Sequence, residues 1–180
     1  MKKNFRLVLL AIFLAVHIVM SLFYIQVGQN LRIYFTFIIA MTTAMLYEYP
    51  YVLAYAVFED LLAFFLFPTG PFFPGYTLTT VVSLSIYHFF LYPHRHDLKL
   101  KHVILAKTFT NLIANIGLNS LWSSILYSKG FIYYLSKSVV KNLIMLPIEI
   151  FIFYSLYKLL KPLLIRYNLI KESKTSVDIE

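Results

Sequence analysis

The sequence predicts an all-α integral membrane protein: a bundle of six transmembrane helices with a substrate pocket near the extracellular side and both termini cytoplasmic. Three observations carry this. Of 180 residues, 60% are hydrophobic and 13% are Asp, Glu, Lys or Arg, too few charges to cover the surface of a soluble domain. The mean hydropathy is +0.74. The charges stand between apolar runs that suit a hydrocarbon layer of about 30 Å, and the basic ones favour one end.

The first run, residues 7–24, follows Lys2, Lys3 and Arg6. It is longer than a signal-peptide core and lacks a small-residue cleavage site before Gln26, so it reads as the first membrane helix. The others are residues 33–47, which end near Pro50, then 51–67, 77–92, 103–127 and 138–160. Residues 68–75, rich in Pro and Gly, cannot continue a helix and read as an ordered loop with aromatic walls. Residues 1–170 form one membrane-embedded domain, and 171–180 a polar cytoplasmic tail.

Six crossings put the N-terminus, the second and fourth connections and the C-terminus on one side. That side collects Lys2, Lys3, Arg6, Arg95, Lys99, Lys101, Lys107, Lys158, Lys161, Arg166, Lys171 and Lys174, against Arg32, Lys129, Lys137 and Lys141 opposite. The positive-inside rule makes the richer side cytoplasmic, in a multi-pass membrane protein. The net charge of +8 then meets lipid headgroups and implies no nucleic-acid partner. No cysteine is present, which excludes disulfides and cysteine-based metal sites.

Polar groups inside the spans are functional candidates, because each is expensive there. Asn111, Asn115, Asn119 and Trp122 recur at helical spacing on the fifth span; Lys141 and Asn142 lie about one turn into the sixth. Asp60, beside Glu59, sits in the outer half of the third span, and Arg32 at the mouth of the second. Only one of the adjacent carboxylates should reach the cavity. With Phe73 and Tyr76 from the aromatic loop, these residues suit a flat heterocycle carrying donors and acceptors, while Arg32 and Lys141 suit an anionic tail. Interhelical bonding explains asparagines, and interfacial anchoring explains Trp122 and Tyr127, equally simply. His94, His96 and His102 form a hydrated basic turn, with no metal expected. No Gly-x-x-x-x-Gly-Lys, His-Glu-x-x-His or Gly-x-Ser-x-Gly motif occurs, so no enzyme activity is expected. Ala11 and Ala15 form a small-xxx-small step that lets another helix approach.

Two blocks carry a resemblance: Phe67-Pro68-Thr69-Gly70-Pro71-Phe72-Phe73-Pro74-Gly75-Tyr76-Thr77-Leu78, and Asn119 to Tyr127 continuing at Lys141-Asn142-Leu143-Ile144-Met145-Leu146-Pro147-Ile148-Glu149. With Leu31-Arg32-Ile33 and Asp60-Leu61-Leu62, the sequence resembles the folate-specific S components of energy-coupling-factor vitamin transporters. The resemblance implies an outward pocket for folate and a transmembrane coupling protein docking at Ala11 and Ala15. It also implies two ATPase subunits that use ATP, with no cofactor on this chain, and a subunit that topples in the bilayer. Ile39, Glu48, Tyr51 and Tyr55 are bulkier than that family's pattern and would narrow the cavity or alter packing. Riboflavin or thiamin is the alternative vitamin, and an unrecognised membrane enzyme the alternative class; two cations favour folate over an uncharged ring.

Overall fold

The computed structural model describes residues 3–27, 31–67, 72–127 and 130–171, with the side chains of 3, 24–27 and 31–33 outside the described set. Helix α1 (Lys3–Ser21) leads into strands β1 (Tyr24–Val27) and β2 (Leu31–Tyr34), then α2 (Phe37–Leu46), α3 (Tyr49–Leu66) and α4 (Pro74–Leu91). Next, α5 (Leu100–Thr110), a π-helical segment (Asn111–Leu118) and α6 (Asn119–Leu126) run on without a break. The last is α7 (Phe131–Arg166). Each of the six apolar runs contributes most of its length to one of these helical rods.

The hairpin corrects the sequence reading, which made residues 26–32 a plain connection and began the second helix at 33. Tyr24 pairs with Tyr34 and Gln26 with Arg32, and α2 begins only at Phe37. β-Branched and aromatic residues at Tyr24, Ile25, Val27, Ile33 and Tyr34 favour a pleated ribbon, and a short apolar run does not reveal its period.

α4 is the central element, packed against α2, α3, α5 and the π segment. Its Pro74 opens the helix where the missing N–H costs nothing. Thr79, Ser83 and Ser85 bond back to carbonyls one turn earlier, so their hydroxyls are satisfied within the helix. Small residues of α2, Ala40 and Ala44, let the backbone come close, and Met41, Met45, Val52, Tyr55, Leu84, Leu91 and Val103 fill the core. Tyr55 belongs to that core, Tyr51 packs against it, and Glu48 is exposed. None of Ile39, Glu48, Tyr51 and Tyr55 lines the central cavity, so their bulk falls on packing instead.

Outward faces stay apolar: Phe65 is 73% exposed, Phe89 72% and Phe151 72%. In water such surface would drive association; lipid is its solvent, and this is a membrane protein. Asn4–Ser21, Tyr49–Leu66 and Phe131–Arg166 are long and apolar enough to cross a membrane, and Phe37–Leu46 is a shorter apolar helix. α7, with 36 residues, extends about 54 Å, well beyond the hydrocarbon thickness.

The described ends of the chain meet at one end of the bundle. Arg6 bonds Glu48 at 3.1 Å, Tyr47 donates to the Arg6 carbonyl at 2.8 Å, and the Lys171 N–H reaches His96 Nδ1 at 2.8 Å. The tail beyond residue 171 lies outside the described residues, as do 68–71 of the aromatic loop.

Candidate functional site: a charged cavity among apolar helices

A cavity of about 300 Å³ opens where α1, α2, α3, α4, the α5–π–α6 rod and α7 converge. That is the lower end of the range for ligand pockets. A histidine–carboxylate contact and a lysine–carboxylate ion pair stand on its wall. His17 Nε2 of α1 lies 2.9 Å from Glu59 Oε1 of α3, and Lys107 Nζ of α5 lies 3.0 Å from Glu149 Oε2 of α7. Lys107 also donates to the Tyr87 hydroxyl at 3.0 Å and sits 4.9 Å from the Phe37 ring centroid. Its ammonium is therefore held by a carboxylate, a phenol and an aromatic face, which together offset the cost of leaving water. The other Glu59 oxygen, Oε2, and His17 Nδ1 are buried without a partner among the described residues.

The sequence-predicted residues divide between two cavities. Asn115, Asn119, Lys141 and Asn142 line the first. Asn115 donates to Asn111 Oδ1 and Asn142 to the Ser138 carbonyl, both at 2.8 Å, which leaves their amide oxygens for other partners. No ion pair engages Lys141 among the described residues. Asp60, Phe73 and Tyr76 line a second cavity of about 350 Å³ with Phe64, Phe67, Phe72 and Tyr127; Asp60 accepts the Thr77 hydroxyl. Tyr34 belongs to both walls. Trp122 lines neither. It donates to Thr79 Oγ1 at 2.9 Å and packs edge-on against Phe73, centroids 5.5 Å apart. Gly75 makes room for that contact, since a Cβ there would come within 2.2 Å of the Phe73 ring. The Arg32 side chain lies outside the described residues. Ala11 and Ala15 are exposed on α1.

This chain is 34% identical to the folate transporter FolT of Leuconostoc mesenteroides over 155 residues, 83% of this chain and 82% of that one. It belongs to the FolT family of folate transporters. A second FolT, from Clostridium novyi, is 29% identical over 174 residues, 97% of this chain and the full length of that one. A crystal structure of FolT bound with folic acid matches with a TM-score of 0.75 at 28% identity, covering 87% of this chain and 93% of that one. No protein-family model matches the chain. The named relatives are transporters, in keeping with the lack of enzymatic motifs.

In this FolT-family chain the strongest polar feature of the cavity was missed by sequence reasoning. His17, Glu59, Tyr87, Lys107 and Glu149 all fall inside apolar runs, and ionisable residues there carry their own signal. The charge count had set Lys107 with the basic end of the bundle, although it lies inside the fifth apolar run at residues 103–127. α5 begins at Leu100, so Lys107 lies about two turns into the helix and is only 2% exposed. The adjacent carboxylates do separate, Glu59 to the first cavity and Asp60 to the second. The π segment was also invisible in sequence. There the Asn119 N–H reaches back five residues to Ala114; Asn115 and Asn119 line the cavity, while Asn111 is buried and does not.

The histidine turn is held by backbone donors. Lys99 N–H donates to His102 Nδ1 at 3.2 Å and Lys171 N–H to His96 Nδ1, so both rings act as neutral acceptors. Burial, reinforced by Arg95 and Lys171, lowers the pKa of His96 below its ordinary value; burial with His94, Lys101 and Lys99 does the same for His102, against a small opposing pull from Asp97.

Proposed function

We propose that this chain is the folate-capturing S component of an energy-coupling-factor importer. In this reading it crosses a prokaryotic cell membrane six times with both termini cytoplasmic, and its cavity receives the vitamin from outside. The observation that carries the reading is the unpartnered Glu59 oxygen at a cavity wall otherwise furnished with amides and an uncommitted Lys141. A pterin presents an amino-pyrimidinone edge with adjacent donors, which a carboxylate accepts in pairs. Rotation of the Glu59 carboxylate about its last bond turns Oε2 toward that edge. Asn115, Asn119 and Asn142 offer amide oxygens and N–H groups to the rest of the ring. Lys141, with Arg32 at the mouth, neutralises the glutamate tail.

The cavity's size suits the ring system, and the second cavity, which shares Tyr34 as a wall residue, sets Asp60 beside the aromatic side chains Phe73 and Tyr76. A transmembrane coupling protein docks at Ala11 and Ala15, and two ATPase subunits supply the energy.

The test is a calorimetric titration of detergent-purified protein with folate, riboflavin and thiamin. Folate should bind and the other two should not. Lys141→Ala should weaken folate by about 2 kcal/mol, the loss of one partner of a desolvated charge pair. Equal affinity for all three vitamins, or unchanged folate affinity in a combined Arg32→Ala and Lys141→Ala variant, would remove the tail assignment.

A further inference from the structure

At the opposite end of the bundle a separate cleft of about 250 Å³ is lined by Arg6, Tyr47, Glu48, Arg95, His96 and Lys171. Its walls come from the start of α1, the α2–α3 junction, the turn after α4 and the segment after α7. Among the described residues its charge is unbalanced: three cations face one carboxylate, and Glu48 is already paired with Arg6. Arg95 uses Nη1 on the Tyr92 carbonyl at 2.7 Å and lays its guanidinium over the Tyr92 ring, 3.9 Å from the centroid. That clamp fixes the fork and leaves its remaining N–H groups for an acceptor. Neither Arg95 nor Lys171 has an ion-pair partner among the described residues. The lining residues have exposed apolar neighbours in the chain: Phe5 beside Arg6, Phe89 one turn before Tyr92, and Leu163 and Tyr167 shortly before Asn168.

We propose that this cleft binds the phosphodiester headgroup of an anionic phospholipid, with Arg95 and Lys171 holding the phosphate. The acyl chains lie along the neighbouring apolar faces. A free phosphate would offer the same charge but would leave those faces unused, and a zwitterionic lipid would bring a choline cation toward three basic groups. The site ties together four segments that meet at the end where both described termini lie, so an occupied cleft clasps the ends of the chain. Basic pockets between helices near a membrane surface gain about 1 kcal/mol per cation from anionic headgroups, equivalent to about fivefold in affinity.

Native mass spectrometry of the full chain released from micelles tests this, with phosphatidylglycerol, phosphatidylcholine and inorganic phosphate supplied separately. Phosphatidylglycerol should be retained at near one per chain and should raise the melting temperature. Lys171→Gln, an exposed change, should weaken retention about fivefold, and Arg95→Gln with Lys171→Gln about twenty-five-fold. Arg95→Lys with Lys171→Arg, which keeps both charges, should restore most of it and guards against a folding defect in the glutamine pair. Equal retention of phosphatidylcholine, equal retention by the glutamine variants, or the same protection from inorganic phosphate alone would each overturn the lipid assignment.

Discussion

Lys107 shows what a buried charge requires. A lysine 2% exposed among apolar helices is held by Glu149 and Tyr87, each 3.0 Å away, and by the face of Phe37. Lys107→Met strands Glu149 without its cation, and breaking a buried pair from one side costs about 3–5 kcal/mol. The variant should lose most of its thermal stability in detergent, and adding Glu149→Gln should recover a large part of the loss. Thermal melts of the single and double variants check this; equal melting temperatures for wild type and Lys107→Met would show that the pair contributes nothing. A second residue-scale expectation concerns Gly75. An alanine Cβ there meets the Phe73 ring and, at 2.8 Å, Trp122 Cδ2, so Gly75→Ala should push the two rings apart. Trp122 is the only tryptophan, and its emission should shift in the unliganded protein. An unaltered spectrum would mean that the rings accommodate the methyl group in place.

At the scale of elements, the turn after α4 and the segment after α7 depend on neutral imidazoles. His96 and His102 have folded-state pKa values held below the ordinary histidine value, with burial as the leading cause. The folded state therefore binds protons less readily than the unfolded chain. The stability this contributes is fully present above the unfolded pKa of about 6.5 and is lost as pH falls through the folded values beneath it. Protonation also removes the lone pair that accepts the Lys171 N–H. Protection of the Lys171 amide, measured against its intrinsic exchange rate, should fall as the pH drops below about 6.5, and His96→Gln should flatten that dependence at this amide. Exchange that follows only the intrinsic pH dependence of amides would sink the idea. The π segment belongs to the same scale. The segment packs against α4 and α7, and no residue type marks its wide turn in sequence.

For the whole molecule, the question is how binding connects to transport. α1 exposes Ala11 and Ala15 on a helix otherwise rich in Leu, Ile, Val and Phe, and its membrane-length stretch is only 6% buried inside the bundle. Helices in lipid associate by close packing, which small side chains permit. His17, the cavity's contribution from α1, lies further along and is buried. Replacing Ala11 and Ala15 together with tryptophan should hold a coupling protein away while leaving the cavity intact. The expected phenotype is normal folate binding by the isolated protein, no co-purification with the coupling subunit and no ATP-driven uptake in vesicles. Full assembly and transport by the double variant would place the docking surface elsewhere.

The sequence by itself determined the membrane class, the apolar runs that become helices and the family resemblance. These follow from composition and from local side-chain chemistry, which act over a few turns of one segment. It also marked Asn115, Asn119, Lys141 and Asn142, because polar groups in an apolar run stand out wherever the run folds. Only the tertiary structure decided which ionisable side chains meet. His17 and Glu59 are 42 residues apart in number, as are Lys107 and Glu149, and nothing local to either segment says that α1 faces α3 or α5 faces α7. The same holds for Asp60 and Glu59, adjacent in sequence yet facing different cavities, and for Lys107, counted with the basic end yet buried against Glu149 on the cavity wall. A buried ion pair is a property of two helices and the space between them, so it becomes legible only when the helices are packed.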